Sequence, residues 1–188
     1  MKYLIAGLGN IGPEYKNTRH NIGFQILDAL AGASNISFND KRYGFVSEYK
    51  YKARTFILLK PTTYMNLSGR AVNYWLQKEK IPIQNLLVLV DDIALPFGTI
   101  RVRAKGGDGG HNGLGNINQV LGRNDYARLR FGIGDNFHKG FQVDFVLSEW
   151  SNEEQKELPF KIDTCIDIIK SFGTIGTERT MNFFNKKK

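Results

Sequence analysis

Apolar residues cluster at the start of the chain, and Tyr3 to Gly7 reads as a short buried strand. Ile22, Ile26, Leu27 and Leu30 then recur at helical spacing, predicting a helix that ends near Gly32. Tyr43–Tyr49 and Arg54–Leu59 have strand composition around a polar turn at Lys50 to Ala53, which predicts a β-hairpin closed by Pro61. Ala71, Val72, Trp75 and Leu76 mark an amphipathic helix from Leu67 to Lys80, ended by Pro82.

Leu86 to Val90 is an uninterrupted apolar run, the signature of a central strand covered on both faces, and it ends in Asp91-Asp92. Carboxylates so placed lie where ligand crevices form in open sheets. Thr99 to Arg103 alternates as a strand, Asn112 to Leu121 suits a short helix, and Ala127 to Ile133 another strand. Ser151 and Glu154 form a capping-box signature before a helix that Pro159 interrupts or restarts and that continues to about Phe172. The expected fold is α/β: a single globular domain over 1–188 with a twisted mixed sheet, parallel and antiparallel, flanked by helices.

Composition narrows the partner more than the fold. The formal charge is +8 and the pI about 9.5, which points to a polyanion, with nucleic acid ahead of an acidic membrane surface. Basic residues concentrate at Arg101, Arg103 and Lys105, at Arg128 and Arg130, and in Lys186-Lys187-Lys188, which reads as a solvated end. No run is long and apolar enough to span a bilayer and no signal peptide is visible, so a soluble, cytoplasmic protein is expected. The single cysteine, Cys165, lies among Ile162, Ile166 and Ile169 and reads as a buried core thiol, leaving no disulfide or cysteine-based metal site within the chain.

Two of the three histidines stand before asparagine in turn-rich or glycine-rich sequence: His20-Asn21 and His111-Asn112. Such a phrase sets a proton acceptor and an amide hydrogen-bonder on a loop. Gly7-Leu8-Gly9-Asn10-Ile11-Gly12 matches a dinucleotide fingerprint, but Pro13 and the polar stretch Glu14 to Thr18 delay the helix that would face a pyrophosphate, and Asp28 falls inside that helix. The motif therefore argues against a nucleotide-dependent oxidoreductase; its glycines let backbone approach a substrate or a neighbouring loop, with Asn10 presenting its amide.

In order and spacing, Gly7-Leu8-Gly9-Asn10, Thr18-Arg19-His20-Asn21, Lys60-Pro61-Thr62-Thr63-Tyr64-Met65-Asn66-Leu67-Ser68-Gly69, Asp91-Asp92 with Leu95-Pro96, and Gly109-Gly110-His111-Asn112-Gly113-Leu114 resemble the bacterial peptidyl-tRNA hydrolase family. The resemblance covers nearly the whole chain. It implies hydrolysis of the ester between a peptide and the terminal ribose of tRNA, by a monomer without cofactor, metal or obligate protein partner. His20 is implied as the base that activates water, near its ordinary pKa of about 6.5, and Asp91 as the carboxylate that orients it.

The resemblance further implies substrate contacts from Asn10, Tyr15, Tyr64, Asn66 and Asn112, with His111 secondary to Asn112 and Asp92 a solvated or capping neighbour. Asn66 has a plain alternative as the cap of the helix that follows. Alternation puts Arg101 and Arg103 on one face and Arg128 and Arg130 on one face; Arg103 and Arg130, then Arg101, are implied as the clamp for the tRNA 5'-phosphate. They have an alternative as edge-strand charges. The run 106–110 is expected to open and close over the peptide.

The chain departs from the family pattern at Ile11 in place of proline, at Ala94 in place of an acid, and at Asp135-Asn136 in place of a basic or His-Pro pair. These bear on affinity and not on reaction type. A non-catalytic RNA-binding protein on the same fold is the rival reading; it would keep the arginines but have no need of His20 with Asp91.

Overall fold

In the computed structural model, which describes residues 1–185, seven strands form one sheet in the order β2-β3-β4-β1-β5-β7-β6. The strands are β1 (Lys2–Gly7), β2 (Asn39–Lys41), β3 (Gly44–Tyr51), β4 (Arg54–Pro61), β5 (Leu86–Asp92), β6 (Ile100–Arg103) and β7 (Ala127–Gly132). β4, β1, β5 and β7 run parallel, whereas β2, β3 and β6 complete the flanks antiparallel. The mixed sheet expected from the pattern is thus observed. The lysines at 186–188, read as a solvated end, lie outside the described residues.

The β5 run alternates between two covered faces, which is why it carries no polar position before Asp91. Leu87 and Leu89 pack with α1 (Ile22–Ala33) and α5 (Asn152–Ile175), while Leu86, Val88 and Val90 pack with α2 (Ser68–Lys78) and α3 (Asn112–Leu121). All five are at most 2% exposed. Each such side chain contributes about 1.5–3 kcal/mol relative to an exposed one. Cys165 is fully buried in the first of these clusters, as its apolar setting suggests.

The pattern left out β2, which is polar throughout, and the helices α4 (Gln142–Val146) and α6 (Thr177–Phe184). It also misread α5. That helix is continuous through Pro159, because the proline and Gln155, whose carbonyl loses its helical donor, are both exposed and water can solvate the gap. The expected capping box is present: Glu154 N–H donates to Ser151 Oγ at 3.2 Å and Ser151 N–H to Glu154 Oε1 at 2.8 Å.

Gly7 and Gly23 set the contact between β1 and α1. A Cβ on Gly7 would lie 2.3 Å from the Gly23 carbonyl oxygen, and one on Gly23 would lie 2.4 Å from the Leu8 nitrogen. These glycines therefore admit helix α1, not a substrate, which corrects part of the reading of the glycine motif. β1 lies between β4 and β5, so connections leave it in both directions and a crevice opens beyond the strand ends. Among the described residues no helix is long and apolar enough to cross a membrane.

Candidate active site

A cavity of about 900 Å³ occupies that crevice, and Asn10, His20, Tyr64, Asn66, Asp91, His111 and Asn112 all line it. Segments far apart in sequence converge because those after β1 and β4 and at the end of β5 mark the C-terminal edge of the parallel strands, and the chain after antiparallel β6 returns to that edge, where His111 meets Asp91. Asn10 follows β1, Asn66 follows β4 and Asp91 is the penultimate residue of β5, while His111 caps α3 and Asn112 opens it.

His20 sits in a single 3-10 turn, Arg19–Asn21, ahead of α1. Arg19 anchors this turn from beneath: its N–H donates to the Ser148 carbonyl at 3.0 Å, and its guanidinium pairs with Glu154 at 2.7 Å, bonds the Glu149 carbonyl and Ser148 Oγ, and stacks on Phe145. Asn21 is buried, and its side chain brackets the Asn10 backbone: Asn10 N–H donates to Asn21 Oδ1 and Asn21 Nδ2 donates to the Asn10 carbonyl, each at 2.9 Å. This holds Asn10 in place although Ile11 replaces a rigid proline. Neither role was visible in the sequence; the charged residue beside His20 and the Glu154 of the capping box were the only traces.

Asp91 is 5% exposed and receives two histidines. His20 Nδ1 lies 2.9 Å from each carboxylate oxygen, and His111 Nε2 lies 2.9 Å from Oδ1. The tautomer of His111 follows from its other nitrogen, which accepts the Leu114 N–H at 3.2 Å as the cap of α3, so Nε2 carries the proton and donates it to Asp91. His111 does bond locally, as expected, and it also grips the carboxylate. The ring atoms and carboxylate lie within 4.8 Å of one another, a spacing that suits a metal ion, yet a protonated Nε2 offers that ion no lone pair.

Burial alone would raise the Asp91 carboxyl, but the charges and hydrogen bonds of His111 and His20 reverse this and hold it well below the usual carboxylate range. For His20 burial pulls the pKa down, and the Asp91 charge and hydrogen bond outweigh it, leaving the imidazole above its ordinary value. The imidazole is thus held proton-hungry in a mostly buried site.

No described residue hydrogen-bonds the side-chain amide of Asn10, Asn66 or Asn112, so all three face the cavity with donor and acceptor free. Asn66 does not cap α2, whose Gly69 N–H bonds Asn116 Oδ1 at 2.8 Å instead. Tyr64 is 76% exposed at the rim. Tyr15 is off the cavity wall, and its carbonyl serves the turn before His20 by accepting from Thr18 Oγ1 at 2.8 Å.

Arg103 and Arg130 line the far side of the cavity together with Lys105, and Arg101 does not. The four arginines lie on the face set by the β6–β7 ladder, where Arg101 opposes Arg130 and Arg103 opposes Arg128. Arg130 pairs with Asp92, which also accepts the Ala94 N–H at 2.8 Å; Asp92 therefore caps a turn, as expected, but is no free solvated charge. Arg128 is 2% exposed and spends its guanidinium on the carbonyls of Gly106, Gly107, Asn124 and Tyr126, fastening the base of the 106–110 run.

Similarity to known proteins agrees with this geometry. The sequence model of the family described as peptidyl-tRNA hydrolase matches residues 4–188. The chain is 59% identical over 187 residues to the peptidyl-tRNA hydrolase of Bacteroides fragilis and 60% identical over 187 residues to that of Phocaeicola vulgatus, covering 100% of both chains in each case. Its fold superposes on the crystal structure of peptidyl-tRNA hydrolase from Acinetobacter baumannii with a TM-score of 0.91 at 34% identity, covering 99% of this chain and 95% of that one. With its motifs, sheet and cavity all in accord, the chain belongs to the peptidyl-tRNA hydrolase family.

Proposed function

We propose that this ester hydrolase cleaves peptidyl-tRNA with a water molecule activated by His20. The observation that carries the reading is the 2.9 Å contact of His20 Nδ1 with a buried Asp91 while the same ring lines the cavity. With Nδ1–H donated to the carboxylate, Nε2 is the nitrogen left to take a proton from water. The hydroxide so formed attacks the ester carbonyl, and the imidazolium, stabilised by Asp91, returns the proton to the departing ribose oxygen as the C–O bond breaks. His111 supports this by fixing the Asp91 carboxylate from its other side.

Asn10, Asn66 and Asn112 supply neutral donors and acceptors for the peptide backbone, the ribose and the oxyanion, adding no charge to compete with His20. Tyr64 offers a ring at the rim. Arg103 and Arg130 suit the tRNA phosphates, Arg130 through its terminal guanidinium nitrogens since Asp92 takes Nε, and recognition of helix shape and backbone fits a surface without a base-reading module. Every group invoked comes from one chain, which supports action as a monomer, and a tRNA substrate supports a cytoplasmic site.

The deciding experiment is hydrolysis of N-acetyl-aminoacyl-tRNA by the purified chain, followed by release of deacylated tRNA. Turnover that tracks enzyme concentration and disappears on loss of the His20 imidazole is expected. Tight tRNA binding without turnover would instead favour the RNA-binding reading.

A further inference from the structure

β6, which carries Arg101 and Arg103, is the last strand of the sheet, and among the described residues the side chain of Asn185 bonds its outer edge. Asn185, in the turn after α6, accepts the Val102 N–H at Oδ1 and donates from Nδ2 to the Val102 carbonyl, both at 2.9 Å. A carboxamide has the same donor and acceptor as a peptide unit, so Asn185 reproduces the pairing that one residue of an eighth strand would make. Val102 stands between the two arginines, opposite Leu129, and its side chain is fully buried. Among the described residues the backbone of this edge is thus held by the ladder to β7 within the sheet and by Asn185 outside it. Asn185 is in turn carried by α6, which Ser171 of α5 and the buried Thr180 join at 2.7 Å.

We propose that Asn185 is a positioning residue for tRNA binding. By closing the edge of β6 it keeps this four-residue strand against β7, so that Arg103 and Arg130 present their charges on one wall of the cavity. A strand with one partner exchanges its backbone bonds with water readily, and a frayed β6 would lose the fixed separation of its arginines, which lie one strand spacing of about 5 Å from those of β7. The chemistry selects asparagine: an aspartate would set a carboxylate oxygen against the Val102 carbonyl, and an alanine would leave both backbone groups to solvent. The inference rests on the phosphate-binding reading of the arginines.

The test is steady-state hydrolysis of N-acetyl-aminoacyl-tRNA over a range of salt, at a temperature where every variant is folded. For Asn185→Ala, KM is expected to rise about fivefold, the effect of roughly one neutral hydrogen bond, with a flatter salt dependence of kcat/KM. Its kcat is expected to stay within about twofold, because the chemistry is untouched. Asn185→Gln, which keeps the amide, is expected to recover part of the loss, and Asn185→Asp none. In an Arg103→Ala background, Asn185→Ala is expected to add little, because both changes disable the same contact. A lowered melting temperature with wild-type KM and salt dependence would overturn the proposal by leaving Asn185 a purely structural brace. Arg103→Ala separates the two readings. A wild-type salt slope there defeats the phosphate clamp itself, whereas a flattened slope there with none in Asn185→Ala defeats only the role of Asn185.

Discussion

His20 Nδ1 lies within 2.9 Å of both carboxylate oxygens of Asp91, so the imidazole is oriented by a charge that is itself 5% exposed. Replacing His20 with alanine removes the base and leaves the arginine wall and the three amides in place. Turnover of N-acetyl-aminoacyl-tRNA is expected to fall by about 10²- to 10⁴-fold, the usual contribution of a general base, while tRNA binding measured by fluorescence stays near wild type. Hydrolysis close to the wild-type rate would remove His20 from the mechanism.

The pH profile follows from the same contact. Only neutral His20 accepts a proton from water, so kcat/KM is expected to rise with pH through a midpoint above the ordinary histidine value of about 6.5. In Asp91→Asn the charge that raises this pKa is lost and burial remains, so the midpoint moves to lower pH as the plateau rate drops. An unmoved midpoint would contradict the coupling. For stability the sign is the reverse. The raised His20 contributes below about pH 6.5 and loses its contribution as pH rises through the folded value; the depressed Asp91 contributes above about pH 4 and fades on acidification. Their shared stabilisation is therefore largest between those limits, and denaturant melts from pH 4 to 8 of wild type against Asp91→Asn measure it.

Arg130 gives its Nε to Asp92, and that carboxylate opposes a phosphate approaching the remaining guanidinium nitrogens. Asp92→Asn is expected to lower KM for the tRNA substrate and to steepen the salt dependence by about one unit of slope, as for one further phosphate contact. Arg103→Ala is expected to flatten it by a similar amount. A titration of binding against salt concentration reads both, and unchanged slopes in both variants would take these arginines out of the interface.

Gly23→Ala tests the packing that brings the His20 turn to the sheet. The added Cβ would meet the Leu8 backbone at 2.4 Å, where no flexible side chain can yield. A loss of about 1–3 kcal/mol is expected in denaturant unfolding, with reduced turnover because α1 and the turn before it shift together. A variant as stable as wild type would show that α1 has room to move.

What the sequence determined alone is local. The alternation and runs of apolar residues set β1, the β3–β4 hairpin, the doubly covered β5 and helices α1 to α3 close to their observed bounds, because hydrophobic period and turn chemistry act over neighbouring residues. The motif phrases likewise marked His20, Asp91, Asn10, Asn66 and Asn112. Tertiary structure decided which of these meet, and what else serves them. His111 reaches Asp91 across 20 positions, Arg19 reaches Glu154 across 135, and Asn185 reaches Val102 across 83. Such contacts depend on sheet order and helix docking, which leave no periodic trace in the chain. The arginines show the same division: alternation paired Arg101 with Arg103 and Arg128 with Arg130, but only packing could set the two pairs on one face and assign Arg128 to loop carbonyls, Arg130 to Asp92 and Arg103 to the cavity wall, since register, burial and partner are properties of the assembled sheet.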